Sequence, residues 1–273
     1  LWTDFMQIAL ERAETAEEAV EIIGWLAEEY GLGCDPGTMF GITDPNEGWW
    51  IEIGWKHWVA ERVPDNAAVM RANYFRIGTE FDLSSPDVID FAIEQGWYDP
   101  ESGPFNWTDA YGDPRGWGAW NYLRHWRVES LLEEYAPDGI SVPEVTSTLR
   151  DHYEGTEYDQ TNGYDYGTPH DTSFRTVCRD YTVESFVAQS RSRMPPEIGG
   201  VMWTALTSPC TSVYIPWYAG ITSTPRAYRI GTNGYDKESA WWAFERLSDV
   251  VEKEYGDSCL LYTSPSPRDR QKS

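Results

Sequence analysis

The side chains best suited to chemistry are four histidines, four cysteines, one acidic loop and one aromatic loop, and no familiar spacing joins them. There is no GxSxG, no HExxH, no P-loop and no GxGxxG opening a helix. Cys34, Cys178, Cys210 and Cys259 form no CxxC pair, so they lack the usual zinc signature. A reactive thiolate needs a base or a positive environment. Cys34, Cys178 and Cys210 have no histidine close in sequence and read as buried structural thiols, with a Cys178–Cys210 disulfide as the alternative. His57 falls in a predicted strand and reads as structural. His125 has only Glu129 at helical spacing and reads as a surface residue, while His152 and His170 are scattered in a polar loop.

That loop, Asp151 to Phe174, carries His152, Glu154, Glu157, Asp159, Asn162, Asp165, His170 and Asp171, groups that suit a hard cation. Its spacing departs from an EF-hand, which needs a denser ladder of ligands and a closing Glu. No metal and no cofactor are expected. The stretch from Trp97 to Trp120 is rich in Trp, Tyr, Asp and Asn without a period. It reads as an aromatic loop over a core, or as a sugar-binding cleft in which rings such as Trp107 and Trp117 stack on pyranose faces. Glycoside hydrolysis would add two facing carboxylates.

The chain has 273 residues and a formal charge of −24, from 45 acidic against 21 basic side chains. Such a balance repels polyanions, so nucleic acid and anionic membrane are poor partners. Apolar runs are only a few residues long, too short to span a bilayer as a helix. A hydrophobic fraction of 41 % with 15 Trp, 17 Tyr and 9 Phe is enough for a packed core.

The elements that must position these groups alternate between helical and strand-like patterns. A short helix around Phe5, Ile8 and Ala9 comes first. Thr15-Ala16-Glu17-Glu18 resembles a capping box, followed by apolar residues at spacings of three and four up to Tyr30 and a stop at Gly31. Ser85-Pro86 opens a helix with Val88, Ile89, Ala92 and Ile93 on one face. Another is predicted over Ala119 to Tyr135 with Tyr122, Leu123, Trp126, Leu131 and Tyr135 inward, and Ser141-Val142-Pro143-Glu144 begins a short one. Strands are predicted at Phe174–Cys178, Thr182–Ala188, Val201–Leu206 and Ser212–Tyr218. Asp236 caps a final amphipathic helix carrying Ala240, Trp241, Phe244, Leu247 and Val251. The pattern is α+β, with one partial domain over 1–258. The end, 259–273, is basic, Pro/Ser-rich and non-periodic, and reads as a disordered tail of non-native text.

Asp44 to Ile77 reads as a tight antiparallel meander of aromatic-rich strands. Asp44-Pro45-Asn46-Glu47-Gly48 and Pro64-Asp65-Asn66 supply its turns, and it runs out at Asn73.

Eight strings in order resemble one family. They are Asp44 to Trp49 (DPNEGW), His57 to Asp65 (HWVAERVPD), Ala72 to Ile77 (ANYFRI), Asp151 to Thr156 (DHYEGT), Arg175 to Cys178 (RTVC), Val183 to Phe186 (VESF), Met194 to Thr204 (MPPEIGGVMWT) and Ser208 to Tyr214 (SPCTSVY). Together they are similar to the cysteine dipeptidases of the dipeptidase A and secernin type, within the N-terminal nucleophile hydrolases. The resemblance implies a four-layer αββα fold and release of amino acids from dipeptides. It also implies a nucleophilic cysteine at the mature N-terminus, whose α-amino group, with a pKa of about 7.7–8.0, takes the thiol proton. Such chemistry needs no histidine. By the same resemblance Asn73 is the catalytic position, an amide N–H donor to the oxyanion. Arg76 is a weaker candidate for the substrate carboxylate. No cysteine stands at Leu1, so the expected nucleophile lies upstream of this chain. The chain as given is then expected to hydrolyse no dipeptide and to leave sheet edges exposed.

Overall fold

A computed structural model describes residues 2–33, 37–113, 118–159, 168–170, 174–253 and 255. The chain forms two compact units, Leu1–His125 and Trp126–Ser273. Both mix helix and sheet, so the α+β expectation holds. No helix among the described residues is long and apolar enough to cross a membrane.

The first unit begins with α1 (Trp2–Arg12) and α2 (Ala16–Tyr30). The Thr15 side chain accepts the Glu18 N–H at 3.1 Å, as the capping pattern predicts. The Glu18 carboxylate reaches back one residue further than expected, to the Glu14 N–H at 2.7 Å. Gly31 ends α2 with φ of +67°, a left-handed backbone angle open to glycine without steric cost.

Four strands follow in the order β1 (Thr38–Thr43), β2 (Gly48–Gly54), β3 (His57–Val63) and β4 (Leu83–Ser84), all antiparallel. Alternation along them separates two faces. Phe40, Trp49, Ile51, Ile53, Trp58 and Ala60 pack with Phe5, Val20, Ile23 and Leu26 of the two helices. The other face puts Val59 against Phe75, Ile77, Val88, Phe105 and Trp107. Gly24 marks the closest approach of α2 to the sheet: a Cβ there would lie 2.4 Å from the Trp58 indole.

The predicted meander is correct through β3 and then fails. Residues 67–77 form no strand, and Leu83–Ser84 pairs with β3 instead. The reason is Glu52, a fully buried carboxylate at the middle of β2. Its oxygens accept the Arg76 N–H at 2.7 Å and the Ile77 N–H at 3.2 Å, so a side chain takes backbone donors that a ladder would have used.

Beyond the sheet, α3 (Val88–Glu94) starts two residues later than Pro86, and only Val88 and Ala92 of its predicted apolar face are buried. A short α4 (Trp107–Tyr111) follows, and α5 (Ala119–Tyr135) contains the boundary between the units. On α5, Leu131 is buried but Tyr122 and Trp126 are exposed, contrary to the predicted inward face.

In the second unit α6 (Val142–Leu149) follows the predicted start at Ser141, which the structure closes with a capping box of Ser141 and Glu144. Strands β5 (Glu184–Ser190), β6 (Gly200–Leu206) and β7 (Ile215–Tyr218) form an antiparallel sheet in that order, with α7 (Pro196–Gly199) before β6. The strand predicted at Phe174–Cys178 is a bent segment. The one predicted from Ser212 begins only at Ile215, because Pro209–Thr211 forms a 3-10 turn. Asp236 caps a turn by accepting the Glu238 N–H at 2.8 Å, and α8 (Ala240–Lys253) starts after it. The tail 259–273 and Cys34 lie outside the described residues.

Candidate functional site

Asn73 sits in the first unit on the segment that Glu52 draws away from the sheet. Its side chain is exposed, between buried Ala72 and Tyr74. Arg124 Nη2 donates to Asn73 Oδ1 at 2.7 Å, and Asn121 Nδ2 reaches the Asn73 carbonyl at 3.4 Å. Holding Oδ1 this way fixes the amide plane and turns the Nδ2 donors to the opposite side. No partner for Nδ2 occurs among the described residues. Arg76, the weaker candidate, is exposed with its guanidinium 5.9 Å from the Tyr74 ring.

Below this segment lies a buried charge network. Trp107 Nε1 donates to Glu52 Oε2 at 3.1 Å, and Arg71 Nε stands 3.5 Å from Oε1. Arg71 also pairs with Glu61 and lies 5.6 Å from the Trp50 ring. Burial pushes the Glu52 carboxyl up to about 7, against the opposing pull of the Arg76 and Ile77 N–H groups and of Arg71. Trp107 is therefore a core residue and offers no face to a sugar; Trp117 lies outside the described residues. Trp97 remains at the rim of a 470 Å³ hollow with Trp55, His57, Phe91 and Tyr111. His57 is structural, as expected: buried, 3.2 Å from Asp87 and stacked on Phe91 at 4.1 Å. His125 is not on the surface. It is 5 % exposed and packs against Tyr74.

The second unit brings together side chains that look scattered in the sequence. Ligating atoms of His152, His170, Cys178 and Cys210 all lie within 4.8 Å of one another, and all four residues are buried. His152 Nε2 is 3.1 Å from His170 Nε2, and Cys210 Sγ is 3.8 Å from His170 Nε2. Each histidine is held from behind: Glu154 Oε1 lies 2.8 Å from His152 Nδ1, and Glu252 Oε1 lies 2.7 Å from His170 Nδ1. Cys178 and Cys210 are free thiols, not a disulfide.

The loops carrying these groups are fastened by arginines. Arg127 grips both Asp151 oxygens, with contacts of 2.9, 2.9 and 2.5 Å, and donates to the Glu154 carbonyl at 3.0 Å. Asp151 in turn accepts the Tyr153 N–H at 2.8 Å, and its carbonyl accepts the Cys178 N–H at 3.1 Å. Tyr153 takes a left-handed φ of +69°, rare for a non-glycine residue, where the chain turns past His152. Arg150 donates to the Pro209 and Ser212 carbonyls at 2.8 and 2.9 Å and so frames Cys210.

Electrostatics within the cluster are strong. A hydrogen bond with Cys178 acts most to hold the Cys210 thiol well below its ordinary range; burial opposes it, and His152 and His170 add to it. Burial pushes the Cys178 thiol up. For His152 burial disfavours the charged form, but hydrogen bonds with Cys210 and Glu154 outweigh it and push the imidazole up to about 10. The remaining loop candidates divide: Glu157 and Asp159 do not join the cluster, and Asn162, Asp165 and Asp171 lie outside the described residues. The cluster has only a faint sequence signal, the His152–Glu154 pair inside a long polar loop.

Similarity to known proteins agrees with this order of strings. The model of peptidase family C69 matches residues 2–261. A "Probable dipeptidase" of Salmonella dublin is 30% identical over 239 residues, covering 78% of this chain and 54% of that protein. "Dipeptidase A" of Lactobacillus helveticus is 28% identical over 281 residues, covering 93% and 58%. The "Dipeptidase" of Bifidobacterium longum (strain NCC 2705) is 29% identical over 301 residues, covering 92% and 55%. The chain thus spans a little over half the length of these curated relatives. A match over nearly the whole chain, carried by both units, establishes the identity at family level: this chain belongs to peptidase family C69.

Proposed function

We propose that this chain is the larger part of a cysteine-type dipeptidase whose nucleophile is carried by a segment preceding Leu1. Family membership over residues 2–261 is the observation that carries the reading. Relatives named as dipeptidases support dipeptides as the substrates. In this mechanism the N-terminal cysteine thiolate attacks the peptide carbonyl. Its own amine takes the thiol proton and returns it to the departing amine, and water then hydrolyses the thioester.

Asn73 is the residue of this chain assigned to that chemistry. With Oδ1 held by Arg124, its Nδ2 donors face outward from the segment, as an oxyanion donor requires. The four-layer αββα arrangement belongs to the same proposal. The β5–β6 sheet supports it: Phe186 and Met202 stand exposed on one face and call for a covering layer.

The test is expression of the gene extended upstream, assayed with a panel of dipeptides beside the present chain alone. Turnover by the extended protein, abolished by replacing its N-terminal cysteine with alanine, is the expected result. Turnover by the present chain alone would refute the upstream nucleophile. Glycan binding lost in W97A, without dipeptide turnover, would favour the alternative sugar-binding reading, which rests on the hollow beside Trp97.

A further inference from the structure

We propose that His152, His170, Cys178 and Cys210 bind a structural zinc ion within the second unit. This inference does not depend on the dipeptidase reading. Four donors from four residues converge on one point, with all ligating atoms within 4.8 Å. A tetrahedral site with Zn–N of about 2.0–2.1 Å and Zn–S of about 2.3 Å has N···N edges of roughly 3.4 Å and N···S edges of roughly 3.6 Å. The observed 3.1 Å between the imidazoles and 3.8 Å between Cys210 and His170 are close to both.

The second observation is independent of the donors themselves. Glu154 and Glu252 accept at the two Nδ1 atoms, the outer-carboxylate arrangement that fixes metal-bound histidines. With both Nδ1 atoms tied to carboxylates, the two Nε2 atoms are left turned towards each other at 3.1 Å, close to the edge of a tetrahedron in which one cation is held by both rings.

The chemistry of the set selects the ion. Two thiolates and two imidazoles are borderline-to-soft ligands, and a buried tetrahedron of this composition suits zinc. On binding, the Cys178 proton and any proton on Cys210 or an Nε2 pass to solvent. Two thiolates then balance the charge of the ion. A catalytic thiol would need one cysteine, one histidine and access to substrate, but here Cys210 is only 5 % exposed and a second thiol adjoins it. The geometry therefore indicates a closed structural centre.

The experiment uses the untagged full chain, purified reduced and without chelator. Elemental analysis should find one zinc per chain. Cobalt(II) added to the metal-free protein should give intense tetrahedral bands and a thiolate-to-cobalt charge-transfer band, and zinc should raise its Tm. C178S and C210S should each weaken zinc binding by about 100-fold or more. E252Q, which keeps all four ligands, should weaken it by about 10–100-fold. A folded, reduced chain without stoichiometric metal and without a thiolate–cobalt band would overturn the proposal. So would unchanged zinc affinity in C178S and C210S, or a Cys178–Cys210 disulfide in place of bound metal. The cobalt spectrum needs no variant, so misfolding of a cysteine variant leaves the test intact.

Discussion

His152 and His170 meet Nε2 to Nε2 at 3.1 Å, each tied at Nδ1 to its own carboxylate, Glu154 on the neighbouring turn and Glu252 on α8. The two carboxylates differ in what else they hold. Glu154 also accepts the His152 backbone N–H at 2.7 Å. E154Q is therefore expected to reduce both zinc affinity and local order, while E252Q reduces affinity alone. Zinc competition titration read beside amide hydrogen exchange at residues 151–155 separates the two; equal protection in both variants would contradict this assignment.

Asn73 depends on Arg124 for its orientation. In the extended enzyme, N73A is expected to lower kcat by about 10²–10³ with a smaller change in KM. R124A should lose less, because a freed amide still visits the productive orientation. Steady-state kinetics on both variants decide the matter, and a change confined to KM in N73A would place the residue in substrate binding.

Glu52 anchors the first unit from inside. Alanine there would leave the Arg76, Ile77 and Trp107 N–H groups and the Arg71 guanidinium around an empty space. Breaking a buried charge network from one side costs about 3–5 kcal/mol. Urea denaturation of E52A should show a loss of that order; a loss below about 1 kcal/mol, the usual size of a point substitution, would mean that the network relaxes freely.

Gly24 tests packing against propensity. Alanine in mid-helix is favoured over glycine by about 1 kcal/mol, yet its Cβ would enter the Trp58 indole at 2.4–2.8 Å. Trp58 has little room to yield, since its Nε1 donates to Glu28 at 2.7 Å. Overpacking costs about 1–3 kcal/mol, so G24A should lower Tm. A raised Tm would show that the indole swings aside.

Asp44 couples the β1–β2 turn to the start of α2. It accepts the Ala16 N–H at 2.9 Å, the Asn46 N–H at 2.6 Å and the Glu47 N–H at 3.0 Å. Burial acts to raise its pKa, but these donors and Arg62 outweigh it and hold the carboxyl below the ordinary 3.8. A depressed folded-state pKa gives stability that is present above the unfolded value and fades as pH falls through the folded one. D44N should thus be destabilised at about pH 6 and converge on the parent near pH 2. A gap that stays constant between those conditions would remove Asp44 from the acid response.

Legibility in the sequence follows the range of the forces involved. Thr15, Gly31, the helix start at Ser141 and the β1–β2 turn act within a few residues, and each was readable from residue type. The strand expected to run out at Asn73 does not form, because Glu52 captures the Arg76 and Ile77 N–H groups from 24 and 25 residues away. His125 was placed outside because helical spacing offered only Glu129, whereas Tyr74 meets it across the first unit. The His–Cys cluster was missed for the same reason: its members come from bends and a 3-10 turn, where no period marks an inward side.

The tie between His170 and Glu252 spans 82 residues, whereas the β2–β3 hairpin closes across Trp55 and Lys56. Local pairs form early and distant ones late, so the first unit can assemble while the second waits. During synthesis α8 emerges after the segments that carry both cysteines. Until Leu247, Val251 and Tyr255 arrive, nothing from that helix covers the Cys178 and Cys210 thiols. The growing chain therefore passes through a window in which oxidation competes with completion of the fold.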